Sequence, residues 1–216
     1  MMFNTQYRLQ QRVIDYTKTE SRRIEKCLAE LPTNLGDYDS VIPFKDGDKF
    51  IVRHYWKAAL IKEFTVKPKF KVGEVVAVAR PYKEILDNED FCTILKENGL
   101  MNDSGWLSAD LITSEGYRNK MYVRAEYMPN HIEITNVRIE RLQDITDADI
   151  FAEGVYERKD VLDLNLDRVT RYTFGGTPKL YKTPREAYAA LIDAVGKKGT
   201  WKRNPWVVAY TFKRVR

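Results

Sequence analysis

The sequence predicts an α+β protein: a small mixed β-barrel with helices packed against its outside, in one domain over residues 1–216. Three observations lead there. Short apolar runs of strand length, such as Val75-Val76-Ala77-Val78-Ala79, recur between turn signals. Few segments carry helical periodicity, and they do not alternate regularly with the strands, which argues against a doubly wound sheet. With 44% apolar and 12% aromatic residues, a chain of this length can bury a sizeable core rather than stay disordered.

Taken in order, Met2 to Thr5 reads as a short strand or lead-in. Tyr7 to Tyr16 places Leu9, Val13, Ile14 and Tyr16 near an i, i+4 period and predicts a helix, with Thr5 as its N-cap. Thr17 to Ile24 reads as a strand leaving a turn, and Cys27 to Leu35 as a helix running into a loop closed by Pro32 and Gly36. An Asp46-Gly47-Asp48 turn feeds a strand over Lys49 to His54. Val72-Gly73-Glu74 opens a strand reaching Arg80, stopped by Pro81. Tyr82 to Gly116 is polar and mixed, with a helix around Phe91 to Asn98, and reads as an insertion over the site. A further insertion falls near 24–65, and this one extends over about 82–120.

Strands follow at Lys120 to Ala125 and His131 to Leu142. In the second, Ile132 and Ile134 change parity to Val137 and Ile139, which predicts a bulge near Asn136. Asp144 to Glu153 predicts a short helix with Thr146 as N-cap, Asp149 at its third position and Gly154 as its stop. Thr183, Pro184 and Gly196 delimit the clearest helix. Pro205 to Val215 reads as a strand, and alternation of Trp206, Val208, Tyr210 and Phe212 places it inside the barrel.

Charge is unevenly placed. From Lys197 to Arg216 there are seven Lys or Arg and no Asp or Glu, leaving 29 basic against 31 acidic residues elsewhere. Trp201, Lys202, Arg203 and Trp206 lie within this segment, and interleaved cations and indoles fit a polyanion whose bases stack on rings. The plainer reading is a strand edge blunted by cations. The apolar runs are too short to span a bilayer, so no membrane partner is expected. No basic and apolar leader is visible, and Cys27 and Cys92 suggest no disulfide framework, so a reduced, cytoplasmic protein is the expectation. His54, His131, Cys27 and Cys92 form no ligand-spaced pair, so no metal is expected. Phe174-Gly175-Gly176-Thr177-Pro178 lacks the rest of a nucleotide fingerprint and reads as a turn, so no cofactor is expected.

The densest chemistry is Thr17-Lys18-Thr19-Glu20-Ser21-Arg22-Arg23, where three cations and three hydroxyls meet at a turn. A lysine partly desolvated beside other cations has a lowered pKa and can take a hydroxyl proton. Ser21 would then be a nucleophile, with a carboxylate from elsewhere holding or returning the proton. On a regular strand Lys18 and Ser21 face opposite sides, so this requires a turn over residues 17–19. The plainer reading is a basic surface turn. Arg22 and Arg23 suit phosphate or base contacts through their planar forks; equally, they suit ion pairs with the acids of the 144–153 helix.

Three segments together resemble the ASCH domain family of the PUA-like superfamily, especially its phage and prophage-encoded branch. They are Phe3-Asn4-Thr5 with Lys18-Thr19-Glu20-Ser21-Arg22-Arg23; Met128-Pro129 with Val137 to Thr146 and Ala152-Glu153-Gly154; and Gly199 to Val208. Val72-Gly73-Glu74-Val75-Val76 is similar to the family's strand opening. The family's lysine motif carries a glycine and a basic residue before the lysine, where this chain has Tyr16 and Thr17, and a threonine where it has Ser21.

The resemblance implies a PUA-like barrel with a basic cleft that binds RNA or a modified nucleoside. There Lys18, Arg22 and Arg23 would contact phosphates or base edges, and Trp201 and Trp206 would wall the cleft with Lys202 and Arg203 nearby. It also implies, as an alternative, an amidohydrolase acting on N4-acetylcytidine, with Lys18 as base, Ser21 as nucleophile and Glu153 as proton relay. A third reading is a phage-associated structural or interaction protein that keeps the fold alone.

Overall fold

The computed structural model describes residues 1–3, 6, 8–29, 31, 40–57, 59–162, 165 and 167–215. Among these the chain runs through α1 (Leu9–Ile14), β1 (Glu20–Arg23), β2 (Ser40–Asp46), β3 (Lys49–Trp56), β4 (Ala59–Val66) and β5 (Val75–Ala77). Then come α2 (Glu89–Glu97), α3 (Ala109–Thr113), β6 (His131–Arg141), α4 (Asp147–Ala152), β7 (Tyr156–Leu162), β8 (Arg168–Thr173), α5 (Pro184–Val195), α6 (Thr200–Arg203) and β9 (Trp206–Arg214). Helices and strands are segregated as in an α+β protein. None of these helices is long and apolar enough to cross a membrane.

The central sheet has the order β1-β9-β6-β5 and curls into a half-barrel. Among the described residues its pairings are antiparallel throughout, with β1 and β5 at the two edges and no pairing that closes the sheet between them. β9 takes an interior place because it is apolar on both faces: every residue from Trp206 to Tyr210 is buried. β6 shows why the bulge matters. Its register with β9 shifts between Ile134 and Asn136, so Ile132 and Ile134 before the break and Val137 and Ile139 after it all reach the core. The same shift turns Arg138 and Glu140 to the opposite face. A separate sheet, β2-β3-β4, adds Phe50, Val52, Phe64 and Val66 to the same apolar cluster, while β7 and β8 form an isolated hairpin.

Two helices carry the functional side chains into place. Thr146 caps α4 by accepting the Asp149 N–H on its hydroxyl at 3.2 Å. Gly154 ends the helix at φ +106, a conformation that a side chain strongly disfavours. Thr183 likewise caps α5 through Glu186 N–H, and Ala187, Tyr188 and Leu191 make its buried face.

Several expectations need correction. The strand opened by Val72 does not begin there or reach Arg80: Gly73 adopts φ +84 in a turn, Gly73 and Glu74 exchange main-chain bonds with Ile134, and the strand proper is confined to Val75–Ala77. Lys120 to Ala125 is not a strand: Lys120–Tyr122 form one 3-10 turn, and Ala125 opens a second that ends at Tyr127. Residues 1–3 form no strand, and Thr5, expected as a cap, lies outside the described residues with Asn4, Pro32, Leu35 and Gly36; α1 begins after Arg8. Residues 82–116 contribute no wall to the Lys18 cavity. They contribute to a second apolar cluster in which Phe91, Ile94 and Leu95 of α2 meet Tyr82, Ile85 and Leu111.

Candidate active site

Lys18 lies just before β1, in an irregular segment at 17–19 held by main-chain bonds from Lys18 N–H to Arg12 O and from Thr19 N–H to Ala152 O. The turn falls one step earlier than expected, at Asp15 and Tyr16, where Tyr16 adopts φ 60, and residues 17–19 then run irregularly into β1. The Lys18 side chain runs inward and is fully buried. Its ammonium donates to Glu20 O at 2.6 Å, Glu153 O at 2.9 Å and Glu153 Oε2 at 2.5 Å, which occupies all three N–H groups. Burial pushes the Lys18 pKa down, and the adjacent Glu153 carboxylate opposes this only in part.

Glu153 follows α4 directly and faces inward. Its Oε1 accepts the Arg22 backbone N–H at 2.6 Å, and the Tyr188 hydroxyl donates to the same oxygen at 3.4 Å. Tyr188 is fully buried on α5, and loss of water raises its pKa well above the ordinary value. Ser21 is buried on β1 and shares with Lys18 and Glu153 a cavity of about 280 Å³, whose apolar walls include Phe3, Leu9 and Leu191. Thus Lys18, Ser21 and Glu153, distant in sequence, meet at one cavity. Among the described hydrogen bonds none joins Lys18 to Ser21, so proton exchange between them requires a relaying water.

Behind the pair lies a network of guanidinium and carboxylate groups. Arg22 points to the outer face of the sheet, where its guanidinium is completely enclosed. It meets Glu140 at 2.6 Å, Asp149 at 2.8 Å, Glu20 at 3.0 Å and Glu153 at 3.5 Å. Arg138 adds bonds to Glu20, Glu140 and Asp149. The register explains the meeting: Ala209 of β9 stands between Arg22 and Arg138, and its small side chain leaves space for both. The expected role of Arg22 as a phosphate or base ligand is therefore corrected, because its donors are spent on carboxylates. The ion-pair reading fits it, although the arginine is buried rather than at the surface.

The remaining nucleic-acid candidates separate. Arg23 donates to Met2 O at 2.7 Å and lies over the Phe3 ring at 5.4 Å. Trp206 is buried in the core under Arg141, so it cannot wall a cleft. Trp201 is half-buried, edge-on to Tyr188 at 5.9 Å, and Lys202 and Arg203 on the same short helix are exposed. They do not line the Lys18 cavity.

Sequence reasoning missed Glu20, Glu140, Arg138 and Tyr188. One signal was available: Asp149 and Glu153 are four residues apart around α4, which places two carboxylates on one side of it. The cross-strand partners could be found only from the register of β1, β9 and β6. No family model matches this chain, and no curated protein or solved structure matches it at a significant level.

Proposed function

We propose that this protein is an ASCH-like, PUA-related protein that binds a modified nucleoside and hydrolyses the acyl amide of an N4-acylated cytidine. The observation that carries this reading is the contact of Lys18 Nζ with Glu153 Oε2 at 2.5 Å on a cavity that Ser21 also lines. A desolvated lysine with a lowered pKa supplies a base, and the carboxylate beside it supplies a place for the proton.

In this scheme neutral Lys18 takes the Ser21 hydroxyl proton through one intervening water as the oxygen adds to the acyl carbonyl carbon. The C–N bond then breaks with its electron pair going to the cytosine N4, which recovers the proton from Lys18 by way of Glu153. Water, activated by the same base, cleaves the acyl-serine and releases the carboxylic acid. Phe3, Leu9 and Leu191 keep bulk water from the pair, which strengthens its electrostatics.

The test is turnover of N4-acetylcytidine, followed as release of cytidine. Wild type should turn it over, with Lys18→Ala inactive and Ser21→Ala reduced by at least about a hundredfold. No turnover by the wild type, or equal turnover in all three proteins, would overturn the reading. A second reading, an RNA-binding module without chemistry, is favoured by exposed Lys202 and Arg203 beside Trp201. It requires RNA affinity that falls steeply with salt and weakens when these two cations are removed.

A further inference from the structure

A second and larger cavity adjoins the Lys18 cavity, with a volume of about 630 Å³. The two share Met2, Arg23 and Ile24 in their walls, so Arg23 stands at the boundary between them. Among the described residues the larger cavity is lined by four cationic side chains, Arg23, Lys26, Lys67 and Lys69, and by one carboxylate, Glu25. That carboxylate is already engaged: Oε1 accepts the Tyr210 hydroxyl at 2.6 Å and Oε2 accepts the Lys69 backbone N–H at 2.9 Å.

The cations are not similarly spent. Lys26, Lys67 and Lys69 form no ion pair with a carboxylate among the described residues, and all three are exposed. Arg23 uses one terminal nitrogen on Met2 O, while its buried Nε–H has no partner. A buried donor without an acceptor costs free energy that an anion would return. Four cations against one acid whose oxygens are already engaged, with an unpartnered guanidinium Nε–H, suit a doubly charged phosphate better than a single carboxylate.

We infer that this cavity is a phosphate-binding subsite, so that the ligand of the Lys18 cavity is a phosphorylated nucleoside rather than a free one. The inference rests on the reading of the Lys18 cavity as a nucleoside site and names the substrate class of that site. The base end would occupy the Lys18 side of Arg23 and the phosphate the Lys67 and Lys69 side. The phosphate could belong to a mononucleotide or to an RNA chain, since both present the same group.

Equilibrium binding of cytidine, cytidine 5′-monophosphate, inorganic phosphate and a short cytidine-containing RNA to the wild type and to Lys67→Gln/Lys69→Gln tests this. In the wild type the monophosphate should bind at least about tenfold tighter than cytidine, and inorganic phosphate should compete with it. In the double variant that preference should fall to near unity with the melting temperature unchanged, because both lysines are exposed. Equal affinity for cytidine and its monophosphate in the wild type, or a preference that survives in the double variant, overturns the subsite. An RNA that binds more tightly than the monophosphate assigns the phosphate to a polymer, and equal binding assigns it to a mononucleotide; either supports the subsite. Phosphate binding lost in the double variant, without turnover of N4-acetylcytidine by the wild type, supports the subsite and sinks the hydrolase. Turnover without a phosphate preference does the reverse.

Discussion

The backbone N–H of Arg22 donates to Glu153 Oε1 at 2.6 Å, so a carboxylate at the end of α4 stands where the next strand of the sheet would pair. An edge strand presents unpaired N–H groups that must find acceptors. Here one of them fixes the position of the group that holds Lys18. The edge of the sheet and the charged pair are thus one construction, and disturbing either should be felt by the other.

Lys18→Met should destabilise the fold by about 3–5 kcal/mol, because it leaves Glu153 Oε2 buried without its nearer cation, Arg22 standing 3.5 Å from the other oxygen. Adding Glu153→Gln should restore part of that loss, since the amide oxygen can still accept from Arg22 N–H. Urea unfolding of both single variants and the double variant measures the coupling. Strictly additive losses would show that the pair does not act as a unit.

The pH dependence has a definite sign. Burial holds the Lys18 pKa below its ordinary 10.5 in the folded protein. Between the folded value and 10.5 the unfolded chain binds more protons, so this group makes stability rise with pH across that window. Wild type should show a steeper rise there than Lys18→Met in unfolding experiments at stepped pH. Hydrolysis of N4-acetylcytidine should climb through the same lowered pKa and level off below 10.5. A rate that continues to rise as an ordinary lysine deprotonates would contradict this.

Arg22 and Arg23 are neighbours in sequence but should differ sharply in their tolerance of substitution. Arg22→Met removes the guanidinium from among four carboxylates and should cost at least about 3–5 kcal/mol. Arg23→Met loses a bond to the Met2 carbonyl and a ring contact, which is worth about 1–2 kcal/mol. Thermal melts of the two proteins under one condition decide between them, and equal losses would contradict the described network.

Gly154→Ala should destabilise by about 1–2 kcal/mol, since φ there is +106 and a Cβ would also approach Arg12 Cδ at 3.3 Å and Leu9 Cδ2 at 3.4 Å. Because Glu153 is the preceding residue, turnover should drop with stability. A variant with wild-type melting and turnover would show that the turn tolerates a side chain.

What was legible in the sequence follows from where the physics is local. The helix from Pro184 to Val195 carries its own punctuation, as does the Thr146 cap, and the parity change at Asn136 is visible in one strand without its partner. The β7–β8 hairpin was illegible because Tyr156 to Leu162 is exposed at most positions and so shows no apolar alternation. The second apolar cluster was missed for the opposite reason: its members come singly from short turns, and only α2 shows a repeat. The Lys18 motif located the cavity, but the burial of Arg22 depends on Ala209, nearly two hundred residues away, and no local pattern reveals that.

β1 lies against β9, with Glu20 opposite Thr211 across 191 residues of sequence. The entropy of closing so large a loop must be met before that pairing gives any return, which slows the search for the native state. Until β9 docks, β1 has no neighbour in the sheet among the described residues, and the chain presents an unfinished edge and the apolar face of β6 to solvent. During that interval the protein would be prone to self-association, and dilute, cool refolding should recover more native material than concentrated refolding.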